Sequence, residues 1–481
     1  MTLRKADYLF FSIKIRLIRI SKKEYQTLHD LIAELREQNH ILLNQVAALE
    51  QEVSSLKEEI RLLKNGKNSN TSSTPPSHDF GRSNKKSLRE PSEKKQGGQK
   101  GHEGTTLQMS EHPDETIEYR PSVCVHCGEI LAAEESKFAY RKQEIVIPPI
   151  IPKYIEHQSY SCTCKNCGKT TKSETPDHLR ANIQYSSDIK ALVAYLSVRQ
   201  YMPYERIAEF VKDLLNLPIS EGTIDNFVKD MARKSEPVYE IIRQKVESSD
   251  VVGGDETGIK INKKKGWLWT FQTDTLTFLA ASESRGFQTI NDLFKNGFPY
   301  SVYVTDCWAA QLKVKTKAKQ LCTAHLMRET NNFIDAIDCS WSKEMKQLLK
   351  ESIAFKKQMH KSDYFRENSE RDRFRDRLND LLDSDYTGKH QKIKAFIERL
   401  RKNRDSILTF LYYLKVPPDN NGSERAIRNA KVKMKVSCQF RSLSGAKCFA
   451  ILRTVIDTTI KNAQNVLNAL TNIAAMVYAA E

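Results

Sequence analysis

The chain lacks any segment fit to cross a membrane. Its longest early apolar stretch, Leu9 to Ile20, is short and carries Lys14, Arg16 and Arg19. No small-residue cleavage site follows it, so neither a bilayer span nor a secretory leader is expected. An acidic excess is also missing. The 481 residues include 76 Lys and Arg against 60 Asp and Glu, a formal net charge of +16. The expected partner is therefore a polyanion, nucleic acid before membrane. Nor is there a secreted disulfide framework: the chain has ten cysteines, half of them between Cys124 and Cys167, a clustering that points to metal ligation in a reducing compartment. These absences leave a cytoplasmic, nucleoid-associated protein of roughly two to four domains as the expectation.

Leucine recurs in heptad register at Leu28, Leu35, Leu42, Leu49, Leu56 and Leu63. With these at d, the a positions are Ile32, Asn39, Val46, Val53 and Ile60. Branched residues at a with leucine at d favour two parallel strands, and a buried asparagine sets register. Glu52 with Lys57 and Glu59 with Lys64 fall at g and e positions, where they pair across such a dimer. The spacing predicts a coiled coil over 22–64; an amphipathic helix packed on its own domain is the plainer alternative. Residues 65–110, rich in Asn, Ser, Thr, Pro, Gly and Lys, read as a basic disordered linker. Such a segment buries too little apolar surface to order itself; it is either a solvated tether or a track for a phosphate backbone.

CVHCG holds Cys124, Cys127 and Gly128, and CKNCG holds Cys164, Cys167 and Gly168. Two such turns aim four thiolates at one tetrahedral Zn²⁺, with glycine permitting the tight knuckle. Thirty-six residues separate the two turns. Strand-like segments at Glu144–Ile147 and Tyr154–Tyr160 are expected to bring them together within a zinc-binding module over 111–178. Cys162, His126 and His157 are substitute ligands, and four buried free thiols are the plain alternative. With four thiolates bound, no coordination position stays open, so the ion is expected to be structural. Over 180–246 the pattern is helical. Pro203–Leu215, a turn near Pro218 and Ser220–Met231, with Ser220 as N-cap, form a helix-turn-helix candidate for DNA binding; a plain bundle fits equally.

Three carboxylates then stand far apart in notable settings: GGDETG around Asp255, YVTDCW around Asp306, and DNNGSERAIRNAKVK around Glu424. The first two close runs that read as strands, Val251–Val252 and Ser301–Thr305. The third lies one turn into a helix opened by Asn420 or Asn421. Hard divalent cations want oxygen ligands, and a pair of them needs a shared carboxylate with flanking ones, so the three acids suit a two-metal phosphodiester site. Neighbours in a strand point to opposite faces, which makes Glu256 the rival of Asp255. WLWTFQ (267–272) and LTFLAA (276–281) read as a hairpin, followed by a helix over Thr289–Phe294 and the strand to Asp306. That is a ribonuclease-H-like order. It predicts a catalytic domain over 247–440 with a charged helical insertion over about 342–411, and a helical segment over 441–481. Arg425, Arg428, Lys431, Lys433 and Lys435 are candidate phosphate contacts; the last three form a one-sided face if extended. His325 and Arg328, in and after CTAH, are candidate donors to the scissile phosphate. A solvated charge face and a structural histidine are the plain readings.

These strings together resemble the insertion-sequence-66-type bacterial transposases, which are DDE enzymes. The match runs in order through the coiled coil, NTSSTPPS, GGQKGHEG, the paired CxxCG, GGDETG, TDCW, CTAH with Arg328, DNNGSERAIR and SLSGAKCFAILRTVIDTTIKN. The resemblance implies a multidomain α/β protein with an N-terminal coiled coil, zinc-knuckle module, helical DNA-binding domain and ribonuclease-H-like catalytic domain. It implies Asp255, Asp306 and Glu424 as ligands of two Mg²⁺, and one structural Zn²⁺ on Cys124, Cys127, Cys164 and Cys167. It further implies cleavage at terminal inverted repeats and strand transfer to target DNA, a homodimer or larger assembly, and small accessory proteins of the element. The first twenty residues look extra to the family pattern. A zinc-containing dimeric DNA-binding regulator, a decayed transposase copy and a nuclease that cuts without joining are the alternatives.

Overall fold

The computed structural model describes residues 21–64, 101, 104, 106–386 and 390–476, with the backbone alone for 62–64. The stretch Leu9–Ile20, most of the basic linker, and the side chains of Leu63 and Lys64 lie outside these residues. Helix α1 (Lys22–Lys64) is unbroken over 43 residues. Ser21 and Glu24 open it with a reciprocal capping pair: the Ser21 N–H donates to Glu24 Oε2 at 2.8 Å, and the Glu24 N–H donates to Ser21 Oγ at 3.3 Å. Its a and d residues from Leu28 to Ile60 are exposed.

The chain divides into two compact units. One contains α1 with residues 325–358 and 368–404; the other contains the described residues of 83–324, 359–367 and 405–481.

The second unit begins with an open, mostly exposed stretch up to residue 180, whose only paired strands among the described residues are β1 (Ser161–Thr163) and β2 (Thr170–Lys172). The expected strands at 144–147 and 154–160 are not formed. Ile145, Val146 and Ile147 are exposed there, with no apolar face to hold them in a pleat. Helices α2 (Ser187–Ala194), α3 (Tyr204–Leu215) and α4 (Glu221–Glu247) follow. Ser220 does cap α4, accepting the Thr223 N–H at 3.1 Å. The helix then runs past Met231 to Glu247, with Pro237 inside it.

A five-stranded sheet comes next, built from β3 (Val251–Ile261), β4 (Lys264–Gln272) and β5 (Thr277–Ser282), then α5 (Phe287–Leu293), β6 (Phe298–Thr305), α6 (Ala309–Leu312) and β7 (Thr316–Leu321). Its order is β5-β4-β3-β6-β7, antiparallel across β5, β4 and β3 and parallel across β3, β6 and β7. Two glycines and two acids make the start of β3 a poor strand by propensity. The ladder with β4, from Gly253 opposite Gln272 to Ile261 opposite Lys264, nonetheless carries the strand well past Asp255.

The chain then enters the smaller unit within α7 (Thr323–Ile337) and continues with α8 (Ser340–Gln358), α9 (Ser369–Asp383) and α10 (Gln391–Lys402). Trp341 anchors these helices: its indole N–H donates to the Leu381 carbonyl at 2.8 Å and its ring stands edge-on to Phe396 at 6.0 Å. Back in the larger unit are α11 (Asn421–Ser437), α12 (Leu443–Lys461) and α13 (Val466–Ala475).

The sheet is covered on both faces. One face joins Ile259, Ile261, Leu268 and Leu279 to buried residues of α2, α3, α4, α11, α12 and α13 in a single core. The helices of 186–247 and the C-terminal helices therefore share their apolar interior with the sheet. The other face is aromatic, with Trp269, Phe271, Phe278, Phe294, Phe298 and Tyr303 packed together; ring centroids such as Phe271–Phe294 are 4.8 Å apart.

Candidate active site

Strand alternation separates the two neighbouring acids of β3. Gly254 and Glu256 share a face with Val252, which lies in the aromatic core, while Gly253 and Asp255 share the opposite face with Ile259 and Ile261. The Glu256 side chain is 4% exposed and already engaged. Arg285 donates to its Oε1 from Nε at 2.8 Å and Nη2 at 2.6 Å, and Gln311 Nε2 donates to Oε2. The same guanidinium lies 3.7 Å over the Trp308 ring and 4.8 Å over Trp267.

Asp255 instead faces the start of α11. A Cβ added to Gly253, two residues before it on that face, would meet Ser423 Oγ and Gln272 Nε2 at 2.8 Å and Asn420 Oδ1 at 2.9 Å. Glycine there lets the helix end sit directly on the strand. Parallel pairing sets Val251, Val252 and Gly253 beside Val302, Tyr303 and Val304. Carried two residues further, this register brings Asp255 level with Asp306 and on the same side of the sheet. Beyond Asp306's strand, Thr305 is level with Leu321, and the Cys322 N–H donates to the Thr305 carbonyl at 2.9 Å. Asp306 and the Cys322 thiol offer ligand atoms within 4.8 Å of each other.

Glu424 lies in the first turn of α11, where a carboxylate also meets the positive end of the helix. One buried phenol reports on the field between these acids. Tyr303 is fully buried, and a Cβ on Gly254 would overlap its hydroxyl. Burial, reinforced by the charges of Glu256, Asp255 and Asp306, raises its pKa well above the ordinary phenol value.

The basic run after Glu424 differs from the extended reading. α11 continues to Ser437 because Ala426, Ile427 and Ala430 recur on one helical face and bury it. Helical geometry then sends Arg425, Arg428, Lys431 and Lys435 to the exposed side and turns Lys433 inward, 9% exposed. Burial pushes the Lys433 ammonium pKa down to about 8. His325 and Arg328 lie on α7 in the smaller unit, Arg328 Nη1 3.0 Å from His325 Nε2.

The two CxxCG turns have matching local geometry. Gly128 and Gly168 take φ of 78° and 67°, and their N–H groups donate to the carbonyls of Cys124 at 2.9 Å and Cys164 at 2.8 Å. Backbone N–H groups of His126 and Cys127 lower the Cys124 thiol pKa, and those of Cys167 and Asn166 do the same for Cys164. The first cysteine of each turn is thus shifted toward thiolate, yet the four sulfurs do not converge on one point among the described residues. Cys162 lies in β1, two residues before Cys164 of the second turn, and is exposed.

Sequence reasoning missed Arg285, Gln311 and Tyr303. No local pattern marks Arg285 or Gln311, which meet Glu256 from 29 and 55 positions away, and Tyr303 stands in YVTDCW with nothing there to show its burial beside Gly254. Trp308 was visible in TDCW, but its role against Arg285 was not.

The family model described as Transposase IS66 family matches residues 182–448, more than half of the chain. A second model, of a family of unknown function, matches residues 18–108. No curated protein matches.

Proposed function

The chain belongs to the IS66 family of transposases, and from that premise we propose that it cuts and joins DNA at the ends of a bacterial insertion sequence. The catalytic acids in this reading are Asp255, Asp306 and Glu424, on a ribonuclease-H-like domain over 247–440 with its helical insertion at about 342–411. What supports it most is the parallel register of β3 on β6, which two residues beyond the Gly253–Val304 pair would set Asp255 level with Asp306, with the first turn of α11 seated on that face through Gly253. The mixed order β5-β4-β3-β6-β7, with Asp255 in β3 and Asp306 immediately after the adjacent parallel β6, supports the same reading.

The donor set is all hard oxygen and fits Mg²⁺, which Asp255, Asp306 and Glu424 would hold. Two such ions supply Lewis acidity at the attacking and departing oxygens of the phosphodiester. The protein's own part is to hold the three carboxylates on a rigid sheet and helix, to keep Glu256 away by pairing it with Arg285, and to offer phosphate contacts. Arg425, Arg428, Lys431 and Lys435 are exposed on α11 and suit the DNA backbone. His325 and Arg328 are further candidates. The matching CxxCG turns that hold Cys124, Cys127, Cys164 and Cys167 suit one structural Zn²⁺ in a module over 111–178. The 180–246 helices are the candidate DNA-end reader. The exposed stripe of α1, over 22–64, suits a parallel coiled-coil homodimer that holds two element ends, with small accessory proteins as further partners. Within the described residues no helix is long and apolar enough to cross a membrane. A cytoplasmic place on the nucleoid follows from the DNA substrate.

The test is strand cleavage and joining on DNA carrying the flanking terminal repeats, with Mg²⁺, comparing wild type with Glu424→Gln. Metal-dependent 3′ nicking and joining should vanish in the variant while end binding persists. Equal activity in both would remove Glu424 from the site. Cleavage without joining would point to a nuclease, and binding without cleavage by either protein to a regulator or a decayed copy.

A further inference from the structure

Helix N-caps are ordinarily satisfied by the cap residue's own side chain. Asn420 stands at the N-cap of α11, but its side chain makes no capping bond. It is 2% exposed, and each of its polar groups is used elsewhere. Its Nδ2 donates to the Gly254 carbonyl at 2.7 Å. Its Oδ1 accepts from Ser423 Oγ at 2.7 Å. Its backbone N–H points to Cys322 Sγ at 3.2 Å, and its carbonyl accepts the Glu424 N–H at 3.2 Å.

Three of these four partners have one thing in common. Gly254 immediately precedes Asp255. Cys322 is bonded through its own N–H to the carbonyl of Thr305, which immediately precedes Asp306. Glu424 is the third acid. A single buried residue therefore touches the backbone of two acid-bearing segments and the residue bonded to the third. Beside it, the Thr323 N–H donates to the Pro418 carbonyl at 3.0 Å, a second tie between the α11 approach and the end of β7.

We propose that Asn420 is a positioning residue for the three-carboxylate site, locking the first turn of α11 to β3 at Gly254 and to the end of β7 so that Glu424 is held in fixed relation to Asp255 and Asp306. This rests on the catalytic reading above. The amide is the right group for the task, because it donates to one chain and accepts from another at the same time. An aspartate of the same shape cannot donate to Gly254, and a serine cannot reach both partners. Its cost is the forgone side-chain cap, exchanged for a contact of longer range.

The test uses the full chain with Asn420→Ala and the isosteric Asn420→Asp, which keeps the acceptor for Ser423 and loses the donor to Gly254. Amide hydrogen exchange over 419–427 reads the lock itself, and the Mg²⁺ dependence of strand cleavage on terminal-repeat DNA reads its purpose. Both variants should exchange faster over 419–427 while retaining end binding. Half-saturating Mg²⁺ should rise about 10-fold, with cleavage at low Mg²⁺ down about 100-fold and partly recovered at high Mg²⁺. Unchanged exchange in both variants would overturn the lock. Loss of cleavage at every Mg²⁺ concentration, together with loss of end binding, would make Asn420 a general structural residue and overturn the positioning role. A wild-type protein that binds ends without cutting would sink the catalytic reading, and this role with it. Faster exchange in the variants would then still identify which of the two statements had failed.

Discussion

The two faces of β3 carry the same chemistry at adjacent positions and use it in opposite ways. On the aromatic face, Glu256 is buried, salt-bridged to Arg285 and hydrogen-bonded to Gln311. On the α11 face, Asp255 lies two residues beyond the Gly253–Val304 pair, on the face that meets a helix start carrying another acid. A carboxylate paired with a guanidinium has its charge consumed within the fold. A cluster of carboxylates is the setting that suits a divalent cation, the role proposed for Asp255. Which acid meets which surroundings is decided by facing, and a shift of one residue would invert it.

The largest expected effect separates the faces by rate. Asp255→Asn should lower Mg²⁺-dependent cleavage by about 10³-fold or more, worth several kcal/mol of lost metal-assisted stabilisation. Glu256→Gln should change the rate by less than about tenfold. Single-turnover cleavage of end DNA measures both, and a greater loss in Glu256→Gln would reverse the assignment of the faces.

The next effect is on stability. Gly254→Ala places a methyl group where the Tyr303 hydroxyl lies, and overpacking of this kind should cost about 1–3 kcal/mol in denaturant unfolding. An unchanged midpoint would mean that Tyr303 can leave its place, and the aromatic face would then be looser than its packing implies.

On the α11 side, Lys433 makes stability depend on pH. Its folded pKa, about 8, lies below the ordinary lysine value because it is buried. The unfolded chain therefore binds more protons between the two values, and stability should rise as pH increases from about 8 towards about 10.4. Lys433→Met should flatten part of that rise and add about 1–3 kcal/mol at pH 7. Lys356 and Lys461, also lowered to about 8 by burial, would account for what remains. A rise of the same slope in the variant would remove Lys433 from the explanation.

The smallest effect belongs to the ion pair. Arg285 is 37% exposed, so solvent offsets much of what Glu256→Gln removes, and thermal unfolding should show a loss of only about 1 kcal/mol. A loss several times larger would mean that the Trp267–Arg285–Trp308 stack depends on the carboxylate for its order.

Much of this architecture was legible locally. The hairpin of β4 and β5 is written in two apolar runs with a turn between them, and Ser220 announces α4. The knuckle turns need only glycine at the left-handed position after each CxxC. Other features had no local mark. The strands expected at 144–147 and 154–160 had suitable residues but no partner surface, and β-structure without a partner has no reason to form. Lys431, Lys433 and Lys435 alternate as a strand would, yet the alanines and isoleucine on one helical face of 421–437 found a core to cover. Tertiary burial overruled the two-residue period, and the cations parted company.

By itself, then, the sequence determined the helices, the turns, the order of the three acids and their family, because periodicity, caps and motif strings act over a few residues. Only the tertiary structure decided which neighbour of the Asp255–Glu256 pair is engaged by Arg285, which lysine is buried, and that Asn420 spends its side chain on Gly254 instead of its own helix. Those outcomes depend on strand register and on contacts between residues up to 166 positions apart. No window along the chain holds both partners of such a contact.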